Sequence, residues 1–503
     1  MSSETAMTSE LLPSLPEVEK VRGTQVSAWS KVFSLGKALL AKLQGKIKAR
    51  GAGGSMAASF LIVAFLTLAA KGVSFFKDVS VAHRFGTGPA LDAFMLAFGL
   101  VSFTASVLAG GLPEAFLPLY SQLKHRRGLR RAQRLAIQST LCQGLSLTAV
   151  GLVYFAFAPV LVRMIGRGFT LEKQQIAADS LRTLLPFMIC QGLFVHLATW
   201  LRAGKTFAFA TLAPALVPLC IIICLVLSGE TPSVRALTIG TNVGALMTVL
   251  ALAALLMRDM PMNGGWWWRS LTVWEPDTRR VLLNTVPFLL SGLIFSSSTM
   301  VDQAMASWLS SGSIVVLGYS DKICGLILGL TAAPASDALF PYFADAVARK
   351  DWKSVRQHLL GSAKAILLFA VPMTLVLCAL APYIVQLLFQ RGAFDAEATH
   401  RVSSVLRFSC LGIPFFILGT LISSIVVSMQ AARLTLFLSI GAVVVNAGLN
   451  WMLMHWLGVA GIALSTVLVY LLSSLTLLWW VLQELSKRMK AERLPSSAQE
   501  AVA

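Results

Sequence analysis

Charge is what this chain has little of, and acid least of all: 23 Asp and Glu stand against 42 Lys and Arg in 503 residues, with 13% charged in all. A soluble domain carries about a quarter of its residues as Asp, Glu, Lys and Arg, so that class is excluded. The seven cysteines, Cys142, Cys190, Cys220, Cys224, Cys324, Cys378 and Cys410, sit in or beside apolar stretches without metal-like pairing to histidine, and read as packed thiols. His83, His196, His358, His400 and His455 are scattered, which argues against a histidine-based site. Neither a metal motif nor a nucleotide motif occurs. No basic domain interleaved with aromatics is present, so the net charge of +19 does not point to nucleic acid.

What is abundant is apolar: 56% of residues are hydrophobic and mean hydropathy is +0.73. Runs of about 20 apolar residues or more, each able to cross roughly 30 Å of hydrocarbon as a helix, recur along the chain. They predict an all-α polytopic membrane protein with about twelve spans. The spans are placed near 57–83, 89–110, 132–162, 176–201, 206–228, 234–257, 281–310, 313–337, 355–388, 402–428, 434–454 and 458–483.

Residues 1–55 lack such a run but hold eight Lys or Arg, with Lys31, Lys37, Lys42, Lys46 and Lys48 set among Val32, Phe33, Leu35, Leu39, Leu40, Leu43 and Ile47. That pattern suits a basic amphipathic helix on an anionic membrane face; a solvated tail is the alternative. The first apolar run starts too late and is too long for a cleavable signal peptide. With twelve spans both termini share one side. That side collects 29 Lys and Arg against 7 opposite, which predicts cytoplasmic termini. "GGWWWRS" at 264–270 then lies at a cytoplasmic membrane boundary, as interfacial anchors do.

The two halves resemble each other. "EAFLPLYSQLKHRRG" at 114–128 follows the second span and "DALFPYFADAVARKD" at 337–351 follows the eighth. Two six-helix bundles, 56–258 and 281–485, are the economical arrangement, with 259–280 as cytoplasmic linker and 486–503 as tail.

Six Lys or Arg remain inside the spans: Lys71, Lys77, Arg182, Lys322, Lys364 and Arg407. Arg182, Lys364 and Arg407 lie near span ends and can snorkel. Lys71 and Lys77 sit well inside the first span, about 600° apart around the helix, so both can border a broad cavity without sharing a tight face. Lys322 enters the eighth span in "GYSDKICG". Cavity binding of an anion and simple neutralisation by Asp78, Asp92 or Asp321 are the two readings of these lysines.

At this point the residues resemble a family. "FFKDVSVAHRFGTGPALDAFMLAF" at 75–98 is similar to the first-helix signature of the MurJ/MviN lipid-linked oligosaccharide flippases. "ASWLSSGSIVVLGYSDKI" at 306–323, "LLFQRGAFDAEAT" at 387–399 and "VVNAGLNWMLMHWLGVAGIALST" at 444–466 extend the resemblance, which covers about 57–483. It implies the MOP superfamily fold, two bundles in a V around a central cavity. It also implies a transporter rather than an enzyme: a flippase for an undecaprenyl-pyrophosphate-linked saccharide in the bacterial inner membrane. By motif, Lys71, Lys77 and Lys322 are then the diphosphate-binding residues, and Asp92 is the aspartate of the DAF element.

Several positions depart from that pattern. Lysine replaces arginine at all three basic positions and gives up the planar fork that grips phosphate bidentately. The second span reads "FTASVLAGGLPEAF", with Thr104 and Ala105 where a basic residue is expected, and the chain ends without the two further spans of many peptidoglycan flippases. The cargo is therefore left open between lipid II and an exopolysaccharide or other glycan precursor.

Asn446 and Asn450, four residues apart, face the same way from the eleventh span. The resemblance adds Asp302 and Thr466, giving oxygen ligands for Na⁺ or another monovalent coupling cation; an interhelical hydrogen-bond network is the alternative. No other cofactor is expected. The expected partners are the lipid-linked saccharide and membrane lipids, and the chain is expected to act as a monomer. A multidrug or cation antiporter of the same superfamily is the competing function, and buried lysines argue against a cation-binding cavity. A membrane glycosyltransferase or ligase would need a catalytic acid or base and a sizeable outward loop, and the outward loops are short.

Overall fold

Proline and glycine set the breaks between helices, and apolar length sets the helices themselves. The computed structural model describes residues 52–204, 207–229, 233–258, 260, 270 and 272–492, and side chains from residue 65 onward save at 207–208, 295, 333–338, 432–433 and 491–492. The basic arm through residue 51, the tryptophans at 266–268 and the tail beyond 492 lie outside the described residues. The chain forms two compact units, Met1–Ala69 and Ala70–Ala503; every side-chain relation below lies within the second.

The helices are α1 Ala52–Phe85, α2 Pro89–Arg127, α3 Leu129–Ile165, α4 Leu171–Thr183, α5 Leu185–Ala203, α6 Phe207–Leu212, α7 Leu216–Leu227, α8 Val234–Arg258, α9 Pro276–Ala306, α10 Ser313–Ala348, α11 Trp352–Phe389, α12 Ala396–Cys410, α13 Ile413–Ser428, α14 Ala432–Leu457 and α15 Val459–Glu492. Each expected span falls on one of these helices or on a broken pair. Among the described residues ten helical stretches, with Phe209–Leu227 and Ala396–Ser428 each counted as one, are long and apolar enough to cross a membrane, or eleven if α4 and α5, bent by 45°, count as one. The first expected span, on α1, begins among residues whose side chains are not described.

Sequence reading missed the breaks inside spans. Pro186 opens α5, where it cannot donate to the ladder and its ring would crowd the carbonyl four residues back. Pro214 sits in the short 3₁₀ turn Ala213–Ala215 that joins α6 to α7. Conversely, α2 and α10 overrun their spans: at 39 and 36 residues they reach about 55 Å, well beyond a 30 Å hydrocarbon layer. The two related sequence motifs at 114–128 and 337–351 lie on these overhanging ends.

α2 is the hub of the first half, packing on α3, α4, α5 and α9, while α10 packs on α12 and α13, and α14 on α15. One core draws from both halves, including Val81, Phe94, Leu100, Leu181, Val315, Tyr319, Phe389 and Ile462. Two further cores belong to the other end of the bundle. Phe116, Tyr120, Leu135, Trp200 and Leu252 form one, in the first half; Phe343, Val355, Leu421, Ile425 and Val481 form the other, in the second half. The first of these also takes in Val281 of α9, which packs along α2 with Phe288 against Gly111, so the second half reaches this end through α9 while the Phe343 core stays within the second half.

At the shared end the connecting loops interlock. Ala393 N–H donates to the His83 carbonyl at 2.8 Å, and Arg401 donates to Ser310 Oγ and the Ser311 carbonyl at 3.2 and 3.0 Å. Gly168 lies so close to the Ser307 carbonyl that a Cβ there would stand 2.2 Å from its oxygen. Gly312 holds φ +85, a left-handed conformation, with no room for a Cβ against the Thr87 carbonyl.

The segment between the halves is pinned to the first half by one buried amide. Gln138 of α3 donates to the Ser270 and Val273 carbonyls at 3.0 and 2.7 Å. Its oxygen accepts from Glu275 N–H at 2.9 Å and Thr278 Oγ1 at 2.8 Å. All four hydrogen-bonding valences of the amide are used.

Candidate functional site

The first span places consecutive charged residues, Lys77 and Asp78, deep in the bundle. Asp78 is 6% exposed, a position a carboxylate tolerates only when paired. Lys77 Nζ lies 2.7 Å from Asp78 Oδ1, and Lys322 Nζ of α10 approaches the same oxygen at 2.7 Å. Two ammonium groups therefore share one carboxylate oxygen across the two halves of the chain. Lys322 also stands 5.1 Å over the Tyr319 ring, a favourable placement for a cation. Both lysines and Asp78 line one cavity of about 260 Å³ whose remaining wall is largely apolar.

Lys71 is placed apart from this pair. It does not line that cavity, and a Cβ built at Gly329 of α10 would lie 3.5 Å from its Nζ. Gly329 is seven residues, two turns, beyond Lys322, so Lys71 follows the same α1–α10 seam toward the overhanging end of α10. Among the described residues Lys71 has no salt bridge.

Asp92 does not serve these lysines, contrary to the neutralising role open to it from sequence. It is 1% exposed and accepts from Gly312 N–H at 3.1 Å, Ile314 N–H at 2.9 Å and Val315 N–H at 3.2 Å. A carboxylate here satisfies the free donors at the N-terminus of α10 and complements its dipole. Its cation is Lys173 of α4, which also donates to Ser311 Oγ at 3.3 Å and lies 4.1 Å over the Phe169 ring. Lys173 escaped sequence reading because it falls between spans, where lysine reads as a topology signal. Asp321, beside Lys322 in sequence, likewise makes no salt bridge among the described residues; it lies within electrostatic range of Asp302.

Asp302, Asn446, Asn450 and Thr466, drawn from α9, α14 and α15, come together. Asn450 Nδ2 donates to Asp302 Oδ1 at 2.6 Å and to Asn446 Oδ1 at 3.3 Å. Thr466 Oγ1 donates to Asp302 Oδ2 at 3.4 Å. Ser465, absent from the sequence reading, donates to Asn450 Oδ1. The cluster supplies one carboxylate, two amide oxygens and two hydroxyls, a donor set that fits a hard monovalent cation. No group of three His, Cys, Asp or Glu positioned to hold a metal ion occurs among the described residues, and the seven cysteines are free. In this structure the cluster's groups also satisfy one another, so geometry alone serves equally as an interhelical network.

Among the described residues the chain is helical, with the spans of a multi-pass membrane protein and buried charges that knit α1 to α10, an arrangement that fits a membrane transporter. More narrowly, the chain belongs to the MurJ family, since residues 81–498 match the family described as lipid II flippase MurJ. It is 24% identical over 413 residues to a probable lipid II flippase MurJ of Rickettsia prowazekii, covering 81% of this chain and 80% of that one. To the corresponding protein of Rhizobium tropici it is 26% identical over 421 residues, covering 82% and 78%. Among solved structures, lipid II flippase MurJ in an inward closed conformation superposes with a TM-score of 0.72 at 22% identity, over 86% of this chain and 90% of that one. An inward-facing multidrug resistance MATE transporter of the MOP superfamily gives 0.71 at 17% identity, over 85% and 99%. The fold is that of the MOP superfamily.

Proposed function

We propose that this chain is a flippase that carries an undecaprenyl-pyrophosphate-linked saccharide from the cytoplasmic to the outer leaflet of the bacterial inner membrane by alternating access. The observation that carries this reading is the shared Asp78 oxygen: two ammonium groups converge on one carboxylate inside an apolar cavity. That knot carries a net positive charge, suited to a diphosphate and opposed to the cationic cargo of a multidrug antiporter. On binding, the diphosphate replaces Asp78 as partner of Lys77 and Lys322, and Lys71 offers a further cation along the same seam. The excess of Lys and Arg on one side of the expected spans supports cytoplasmic termini. The end that holds the Phe116 and Phe343 cores is then cytoplasmic, and the interlocked loops face outward.

Asp302, Asn446, Asn450, Ser465 and Thr466 are the residues that would hold a coupling cation, which would supply a charge-dependent bias between facing states. The experiment is complementation of a strain depleted of its peptidoglycan flippase, with lipid II accessibility at the outer surface as readout. Rescue by the wild-type chain and failure of Lys77→Ala support the reading. A second cargo, an exopolysaccharide precursor, is favoured by Thr104. Its hydroxyl is 2.6 Å from the Tyr154 hydroxyl, a neutral pair where a basic cavity residue is expected. Failure of a well-expressed chain to rescue, with loss of a secreted polysaccharide on deletion, supports that cargo instead.

A further inference from the structure

The cavity beside the lysine pair is lopsided. Lys77, Asp78 and Lys322 occupy one part of its wall, while Phe94, Phe98, Phe187, Phe194, Val217 and Ile221 supply much of the rest. The phenyl rings form a continuous surface, with Phe98 stacked on Phe94 and Phe187 at centroid distances of 5.8 and 5.3 Å. Of the polar side chains in the wall, Thr241 already donates to the Leu237 carbonyl at 2.6 Å and Thr248 to the Gly244 carbonyl at 2.8 Å, which leaves Ser74 and Gln191 as the polar partners the apolar part of the chamber offers. A saccharide placed here would leave most of its hydroxyls without partners, which a dry apolar space penalises. The polar cluster of Asp302, Asn446, Asn450 and Thr466 lies in the second half of the chain, and none of its members lines this chamber.

We propose that this first-half chamber is a binding site for the apolar end of an amphipathic diphosphate, taking the isoprenyl units nearest the phosphate while Lys77 and Lys322 hold the diphosphate itself. The assignment rests on the flippase reading above and adds a direction to it: the lipid end points into the first half and the sugar end toward the second. A space of about 260 Å³ is at the small end of ligand sites, so it admits a short piece of the tail and leaves the remainder outside. Pro214, in the turn between α6 and α7, and Pro218, in the first turn of α7, both line the chamber, which is already open in this structure, so binding needs no new cavity.

The test is calorimetric titration of the purified full-length chain in nanodiscs with inorganic pyrophosphate, geranyl diphosphate and geraniol. Geranyl diphosphate is expected to bind at least tenfold more tightly than pyrophosphate, since each buried methylene contributes favourably, and geraniol to bind weakly. Ala245→Phe, which fills the chamber, should bring geranyl diphosphate to the affinity of pyrophosphate while pyrophosphate changes less than twofold. Ile221→Thr, a smaller perturbation, should lower the geranyl preference severalfold. Lys77→Ala should weaken both diphosphates tenfold or more. A wild-type chain that binds the two diphosphates equally, or a geranyl preference untouched by both chamber variants, overturns the chamber assignment and leaves the lysine site standing. Diphosphate binding indifferent to Lys77→Ala overturns the lysine site itself.

Discussion

Lys322 donates to Asp78 at 2.7 Å across 244 residues of sequence, tying α10 to α1 at the point where the two halves of the chain face each other. The carboxylate is thus the resident anion of a cationic site. On the proposed reading an incoming diphosphate competes with it, and whatever loosens Asp78 favours cargo.

Removing that anion separates stability from affinity. Asp78→Asn should lower folded stability by about 1–3 kcal/mol, between the values for exposed and fully buried pairs, because both lysines retain some solvent contact. The same variant should bind pyrophosphate more tightly than wild type. Thermal unfolding and calorimetry on one preparation check both signs.

Asp92 and Lys173 should behave as one unit. Either Asp92→Ala or Lys173→Ala strands a buried charge or free helix donors, and should cost about 3–5 kcal/mol. The double variant should be clearly less than additive, with a coupling of about 1–3 kcal/mol. An additive cycle in unfolding measurements shows that the contact carries no energy.

Gly168 permits the closest approach of loops from the two halves. Gly168→Val places side-chain atoms on the Ser307 carbonyl and should push the interlocked loops apart. A cysteine introduced at Ser311 should then react severalfold faster with an impermeant maleimide added outside the cell. An unchanged rate shows that the loops accommodate the side chain without parting.

The two polar sites should separate by substitution. Asp302→Asn should weaken dependence of transport on Na⁺ or another monovalent cation while leaving pyrophosphate binding nearly intact, and Lys77→Ala should do the reverse. Each tenfold preference of a cation for one facing state supplies about 1.4 kcal/mol of bias. Transport insensitive to Na⁺, K⁺ and membrane potential, with both variants equally unable to bind diphosphate, reduces the Asp302 cluster to packing.

The spans were legible because crossing hydrocarbon demands long apolar runs, and the buried lysines because such runs tolerate few charges. Pairings across the fold were not. Asp92 and Asp78 lie 14 residues apart in the same signature, and sequence alone does not tell which meets a lysine and which meets the N-terminus of α10. Lys173 reads as loop charge from sequence, because only the fold shows that the first turn of α4 packs against Asp92. Ser465 was hidden beside Thr466, since one hydroxyl among many on a helix carries no signal of its partner. Gln138, whose amide organises the segment between the halves, was missed for the same reason.

The central claim is that Lys77 and Lys322 hold the diphosphate of a lipid-linked saccharide. Its most direct measurement is the outer-surface accessibility of lipid II in flippase-depleted cells expressing, at matched membrane levels, wild type, Lys77→Ala, Lys77→Arg or Lys322→Ala. The account predicts exposure of lipid II with wild type and Lys77→Arg, and loss of at least tenfold with either alanine variant. Full exposure in both alanine variants contradicts it.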